Sequence, residues 1–214
     1  TTISMGSVFF TDSLHGFIGG KDTVLIMKTT DGGNTWLDVS PNVDTSLTIS
    51  KIIFIDSLTG FAAGDTASGS APLLLQTYDG GTNWSKGTFA AGVDYITDMG
   101  VSYPDTSLWL ISASQGLHKR GARGSSTTFS QTTFPGVLPG GFKIGVFDST
   151  GAFISDGGSN IYQTDDAGAT VSLSEGSGAF ASIVAISNIG NNKAWSVDVG
   201  SGIYKYTLRP NIIV

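Results

Sequence analysis

Short apolar runs separated by turn-forming residues fill this chain from end to end. KIIFID (51–56), TGFAAG (59–64), LLLQTY (73–78) and NWSKGTF (83–89) are four such runs in one stretch, divided by Gly, Asp, Ser, Thr and Pro. Short, β-prone and turn-bounded runs predict strands. No window holds a 3.6-residue apolar period over a helical length, so no helix is predicted. The runs at 7–10 and 25–27 are almost continuously apolar. A sheet with one wet face would alternate, so these strands are expected to be buried on both faces.

The runs recur with a period. FTDSLHGFIGG (10–20) and FIDSLTGFAAG (54–64) share seven residues at an offset of 44, and FDSTGAFISDG (147–157) is a third copy with a shorter turn. YPDTSLWLIS (103–112) and SNIGNNKAWSVD (187–198) are weaker echoes. The aromatic after the turn falls at Phe17, Phe61, Trp109, Phe153 and Trp195, at spacings of 44, 48, 44 and 42. Three octapeptides repeat independently: TTDGGNTW (29–36), TYDGGTNW (77–84) and TDDAGATV (164–171). Asp31 and Asp79 lie 48 apart, while Asp79 and Asp166 lie 87 apart, which is two periods. The missing copy falls near Ala122, within KRGARGSSTTF (119–129).

Four strands in every ~40–50 residues mark a propeller blade. The predicted fold is therefore all-β, a five-bladed β-propeller of four-stranded antiparallel blades in a single domain over 1–214. Blade boundaries are expected near 1–45, 46–94, 95–141, 142–180 and 181–214. The last blade has three clear strands, at 183–187, 193–198 and 202–208. Its fourth is expected either from 211–214 or from 1–3, which would fasten the ring and remove unpaired edges.

The octapeptides resemble Asp-box (BNR) repeats, whose pattern is S/T-x-D-x-G-x-T-W/F. Thr29, Asp31, Gly33, Thr35 and Trp36 match throughout. Thr77, Asp79, Gly81 and Trp84 match with Asn83 in the Thr position, and Thr164, Asp166, Gly168 and Thr170 match with Val171 replacing the aromatic. The F-x-D-S-x-x-G-F-x-x-G preface is similar to blades of photosystem II assembly-factor-type propellers, a group also found among bacterial surface proteins. The resemblance covers three blades well and two poorly. It implies that the motif sits on the hairpin between third and fourth strands, at the outer rim and away from the ligand-bearing face.

The motif also has a physical logic. An Asp carboxylate can accept nearby backbone N–H groups while glycines supply positive φ. The Trp then packs beneath the turn and bridges to the neighbouring sheet. Asp31, Asp79 and Asp166 therefore read as structural.

Composition limits the chemistry. The chain has 214 residues, enough for one propeller with an ample core. Only 13% of residues are charged, against about 25% in average proteins. Cysteine is absent, which excludes disulfides, thiolate metal sites and thiol nucleophiles. A net charge of −6 and a pI near 4.6 disfavour nucleic acid. No run reaches the length of a membrane span, so no membrane insertion is expected. No leader is visible, and because the chain starts at Thr1, one could have been removed.

Catalytic readings fail on residue supply. The Asp-box invites comparison with sialidases, which resemble one another in using three arginines from separate blades, a Tyr–Glu nucleophile pair and an acid/base Asp. Here the three arginines are Arg120, Arg123 and Arg209, two of them in one loop, and Glu175 is the only glutamate. No pair of aspartates stands in a context matched to glycosidase work. His15 and His118 lack metal-ligand spacing, and His15 reads as a solvated turn residue at the position of Thr59. No nucleophile elbow supports a Ser-His-Asp triad, and the Gly-dense run at 156–160 lacks a P-loop Lys. No enzyme activity, metal or cofactor is expected.

Binding remains. HKRGARG (118–124) replaces the expected third Asp-box, and Lys119, Arg120 and Arg123 are candidates to dock an acidic partner. Its alternative reading is a drifted, solvated hairpin. The other candidate surface is the face made by second-to-third-strand loops and interblade connections, where Lys21, Asp22, Asp65 and Asp156 are the leading polar groups. A charge-poor, Ser/Thr/Gly-rich β-repeat suits a cell surface, a secreted assembly or a virion. The expected function is a non-enzymatic interaction or structural module there, with a protein partner or larger assembly. A glycan-binding, lectin-like propeller is the alternative, and a sialidase-like hydrolase stands third.

Overall fold

A computed structural model of the chain describes residues 4–21, 25–41, 47–66, 72–87, 96–103, 105–112, 116–120, 130–132, 143–156, 160–174, 183–188, 193–198, 200 and 202–207. Among these residues every regular element is a strand, and the strands form five sheets in two compact units, Thr1–Ile96 and Thr97–Val214.

The first unit holds two sheets. β1 (Met5–Phe10), β2 (Gly16–Gly20), β3 (Ile26–Thr29) and β4 (Leu37–Asp38) form one, and β5 (Leu47–Phe54), β6 (Gly60–Thr66), β7 (Pro72–Thr77) and β8 (Ser85–Lys86) form the next. The third sheet starts at the boundary between units, with β9 (Ile96–Val101), β10 (Leu108–Ser112), β11 (Gly116–Arg120) and β12 (Ser130–Thr132). The fourth contains β13 (Lys143–Val146), β14 (Ala152–Ser155), β15 (Ile161–Thr164) and β16 (Ser172–Leu173), and the fifth β17 (Ile183–Asn188), β18 (Lys193–Asp198) and β19 (Ile203–Thr207). In each sheet every strand lies beside its sequence neighbour. That order follows from short turns, which can join only antiparallel strands.

The turns between first and second strands show why the preface repeats. The Asp12 carboxylate accepts from the N–H groups of Leu14 and His15 at 2.7 and 2.9 Å, and Asp56 accepts from Leu58 and Thr59 at 2.8 and 2.6 Å. Asp148 does the same for Thr150 and Gly151, both at 2.8 Å. His15 is half-exposed as expected, and its Nδ1 lies 2.9 Å from Asp12 Oδ2. Among the described residues of NWSKGTF, Ser85–Lys86 form β8 and the Asp-box turn takes up the residues before it, while Thr88 and Phe89 lie outside the described residues. The two segments expected to close the ring, 1–3 and 211–214, lie outside the described residues.

Two sheets stack face to face in the first unit. Phe17 of β2 stacks on Phe54 of β5 with centroids 4.3 Å apart, and Trp84 presents an edge to both rings at 6.3 and 6.0 Å. Ile26, Ile49, Ile52, Ala62 and Leu75 complete this core. Gly19 permits the approach, since a Cβ there would collide with Ile49. In the second unit Phe153, Ile161 and Ala194 form a core with Phe147, Ile186 and Tyr204. The buried Asp98 carboxylate accepts from Met99 N–H at 2.9 Å and, one sheet further on, from Ile144 N–H at 3.2 Å.

β1 departs from the expectation of burial on both faces. Val8 and Phe10 are exposed, while Phe9 on the opposite face is partly buried and stacks on Phe54.

Candidate functional site

The Asp-box turns lie between third and fourth strands of the first, second and fourth sheets, and each is wired alike. Asp31 Oδ1 accepts from the Thr29 hydroxyl (2.8 Å) and from Thr35 N–H (2.9 Å), while Oδ2 accepts from the Thr35 hydroxyl (2.6 Å). The Thr29 hydroxyl in turn accepts from Gly33 N–H at 2.9 Å. Thr164, Asp166, Gly168 and Thr170 repeat these bonds at 2.9, 2.9, 2.9 and 2.6 Å. In the second sheet Thr77 and Gly81 bond in the same way, at 2.9 Å each, and the departure at Asn83 is explained. Its amide Nδ2 donates to Asp79 Oδ2 at 2.7 Å where the other copies use a Thr hydroxyl.

A second set of bonds ties each turn to its own sheet. The N–H groups of Gly32, Gly80 and Ala167 donate to the carbonyls of Leu14, Leu58 and Thr150, all at 2.9 Å. The motif thereby fastens the third-strand turn to the first-strand turn at the same end of the blade. The Trp does not act identically in both copies. Trp84 is buried and reaches Phe17 in the neighbouring sheet, whereas Trp36 stays on its own sheet, edge-on to Phe10 at 6.3 Å, with Nε1 donating to Gly33 O at 3.1 Å.

These bonds set the carboxylates' acidity. The Thr35 hydroxyl and N–H, with the Thr29 hydroxyl, hold Asp31 down to about 2 from an ordinary 3.8. Asn83, through N–H and amide, does the same for Asp79, also to about 2. At Asp166 burial pushes upward, but the Thr170 and Thr164 donors outweigh it and the carboxyl stays lowered. A depressed folded pKa contributes stability that is fully present above the unfolded value and is lost as pH falls through the folded one. Thermal midpoints should therefore fall between pH 4 and pH 2, and fall less in an Asp31→Asn/Asp79→Asn double variant. Parallel acid profiles for the two proteins would refute this.

Ala167 stands where the other copies have glycine and holds φ at +63°, against +72° and +69° for Gly32 and Gly80. A left-handed conformation costs an L-residue about 1–2 kcal/mol, partly offset by the entropy glycine adds to the unfolded chain. Ala167→Gly should stabilise by about 0.5–1 kcal/mol, read as a higher denaturation midpoint.

The opposite loop end carries the other candidates. Lys21 bridges to Thr48 of the neighbouring sheet, and Thr48 is itself the register partner of Asp65. The structure thus brings Lys21 and Asp65 together: burial pushes the Asp65 carboxyl up and the Lys21 charge partly offsets it. Asp22 lies outside the described residues. Asp156, in the other unit, is buried and turned onto its own loop, accepting from Asn160 N–H at 3.0 Å and Asn160 Nδ2 at 2.6 Å. In the basic run, Lys119 and Arg120 end β11, with Lys119 in register opposite Trp109. Arg123 lies outside the described residues, as does the hairpin expected near Ala122.

One feature escaped the sequence reading. A groove of about 360 Å³ opens at the rim of the first unit, bounded by Trp36, Leu37 and Val39 of the first sheet and Thr82 of the second, with Lys28 between them. The signal was Leu37, an exposed apolar residue where the next blade has Ser85. The Lys28 ammonium donates to Gly80 O across the joint at 2.8 Å.

Comparison with known proteins gives these features a class. The family model described as photosynthesis system II assembly factor YCF48 matches residues 1–93. The chain is a member of the Asp-box (BNR-like) β-propeller repeat family. Its blades are similar to those of photosystem II assembly-factor-type propellers: the photosystem II assembly lipoprotein Ycf48 of Synechococcus sp. (strain CC9902) is 32% identical over 171 residues, covering 77% of this chain. The chain spans only 47% of that relative's length. Among solved structures, YCF48 bound to D1 peptide superposes with a TM-score of 0.69 at 18% identity, over 99% of this chain and 64% of that one. Virginiamycin B lyase from Staphylococcus aureus gives 0.68 at 9% identity, over 97% and 71%. At such identities the two structures share a fold with this chain, and the lyase carries no inference about activity.

These relatives correct two expectations. A module of a cell surface, secreted assembly or virion, with a lectin as its alternative, gives way to a kinship with photosystem II assembly factors, and none of the relatives named above supports glycan binding. The extracellular or virion location falls with it, since the curated relative is a lipoprotein of photosystem II assembly. The error has a physical root. Few charges and many Ser, Thr and Gly residues are what tight turns between doubly buried strands require, and they carry no address.

Proposed function

We propose that this chain is a protein-binding module of the photosystem II assembly-factor type, which holds a polypeptide segment of a membrane complex and does no chemistry on it. The observation that carries this reading is the 32% identity to an assembly lipoprotein, joined to the family match over residues 1–93. The solved relative whose ligand is a D1 peptide supports a polypeptide as the class of partner. The five sheets are read as five blades of one propeller domain, bounded near 1–45, 46–94, 95–141, 142–180 and 181–214. Its place of work is a membrane surface, as for the lipoprotein relative.

Two kinds of surface are proposed to meet the partner. One is the loop ends, with Lys21, Asp22 and Asp65 in the first unit and Asp156 in the second; the other is the basic run of Lys119, Arg120 and Arg123. Arginines suit the second, because a guanidinium holds a carboxylate in bidentate fashion. The test is fluorescence anisotropy with labelled peptides tiling the extramembrane segments of photosystem II core subunits. Saturable binding of at least one peptide is expected. Charge reversal at Arg120 and Arg123, compared with Lys21→Glu, identifies the surface used. A chain that binds none of the peptides would overturn the proposal.

A further inference from the structure

The rim groove of the first unit is built on one cross-strand row. Phe17 of β2 is in register with Lys28 of β3, and Lys28 with Leu37 of β4. Side chains in register share a face of the sheet. Phe17 stacks on Phe54, so the row faces the second sheet. Its inner end is the buried Phe17 ring, and its outer end opens at Leu37, which is 67% exposed. Trp36 and Val39 flank Leu37, and Thr82 of the second sheet bounds the groove on the far side.

The same row ends differently in the next three sheets. Phe61–Gln76–Ser85, Trp109–Lys119–Ser130 and Phe153–Gln163–Ser172 are the matching registers. Three fourth strands thus carry serine where the first carries leucine. A single exposed leucine needs no explanation. This one extends an apolar wall that Trp36 and Val39 already form, beside a groove of about 360 Å³.

The groove also holds a cation with donors to spare. The Lys28 ammonium has three N–H donors; it donates to Gly80 O at 2.8 Å and lies 5.8 Å from the centre of the Phe17 ring. Among the described residues no carboxylate lies within ion-pair distance of it. The carboxylates of the two flanking turns are engaged elsewhere, Asp31 by Thr29 and Thr35 and Asp79 by Thr77 and Asn83. Lys28 is therefore held from within the joint and can still donate to an acceptor arriving from outside.

We propose that this groove seats an extended polypeptide segment with an acidic and an apolar residue two positions apart. The carboxylate meets Lys28 in a charge-assisted hydrogen bond, and the apolar side chain packs against Leu37, Trp36 and Val39. The spacing fits. Cross-strand neighbours such as Lys28 and Leu37 have Cβ atoms about 5 Å apart, and residues i and i+2 of an extended chain point the same way about 6.5–7 Å apart. The exposure of Leu37 suits an occupant laid along the rim, with its backbone outside the groove. This seat rests on the reading of the chain as a polypeptide-binding module. It lies at the Asp-box end of the first unit, away from the loop end that carries Lys21 and Asp65, so the two contacts are tested separately.

Amide NMR titration of the whole chain with the capped peptide Gly-Ser-Glu-Ser-Leu-Ser-Gly tests it, read at the Trp36 indole and Leu37 amide signals. Both should shift saturably, and peptides with Gln for the Glu or Ser for the Leu should bind severalfold more weakly. Leu37→Ser installs the residue that the next three sheets carry, at an exposed position, so melting should be unchanged while affinity falls about tenfold. Lys28→Gln, the residue of the second and fourth sheets, should lower it about twofold to fivefold. Signals that stay still at millimolar peptide overturn the proposal, and so does a Leu37→Ser variant that binds as the wild type does. Photosystem peptides that bind without moving either signal would overturn this seat and leave the polypeptide-binding reading standing. A probe that moves both signals while no photosystem peptide binds would support the seat and overturn the assembly-factor reading.

Discussion

Phe17→Ala should remove about 3–5 kcal/mol of folding stability, the range for truncating a buried aromatic. Phe17 is 1% exposed and lies at the centre of the first joint, stacked on Phe54 at 4.3 Å, edge-on to Trp84 at 6.3 Å and beneath the Lys28 ammonium. Its removal leaves a void walled by groups from two sheets. Gly19 adds nothing to refill it, and Phe54 is held on its other side by Phe9 at 5.9 Å. Aromatic pairing adds about 0.5–1.5 kcal/mol beyond buried area, so the upper part of the range is expected. Since a domain is stable by about 5–15 kcal/mol in all, this one change threatens the fold of the first unit. Urea melts followed by near-ultraviolet circular dichroism would measure it. A loss below about 1 kcal/mol, at the level of a surface change, would show that the two sheets do not pack as described.

The same residues show how far the chain could be read unaided. Spacing alone placed Phe17, Phe61, Trp109, Phe153 and Trp195 in equivalent strands; the first four are buried, and Trp195 is 39% exposed. The Asp-box chemistry was legible because its bonds run between residues two to four apart, a distance that sequence displays directly. What sequence could not display was how far each copy is covered. Phe10 and Phe54 sit in matching repeat positions, yet one is exposed and the other buried. Trp84 is buried against the neighbouring sheet, while Trp36 is only partly covered. The rim groove was missed because it depends on the joint between two sheets, where Lys28 meets Gly80 across 52 residues of chain. Function was harder still. Compartment was inferred from composition, which responds to turns and burial, and the inference failed.

Two glycines at the same motif position should respond very differently to alanine. Gly33 and Gly81 both hold positive φ, at +93° and +73°, so either change incurs the left-handed strain of about 1–2 kcal/mol. At Gly33 the new Cβ would lie 3.6 Å from the Trp36 ring, an ordinary contact, and the effect stops there. At Gly81 the Cβ would collide with the buried ring of Phe17 in the neighbouring sheet. Overpacking a core typically adds about 1–3 kcal/mol, and Phe17 has little room to yield between Phe54 and Trp84. Net of the entropy glycine adds to the unfolded chain, Gly81→Ala should therefore destabilise by about 1.5–4 kcal/mol and Gly33→Ala by about 0.5–1. Phe17→Leu in the Gly81→Ala background should recover part of the loss, while it does nothing for Gly33→Ala. Equal losses at the two glycines would mean that the Asp-box acts only within its own turn. An excess at Gly81, relieved by trimming Phe17, would mean that the motif also braces one sheet against the next.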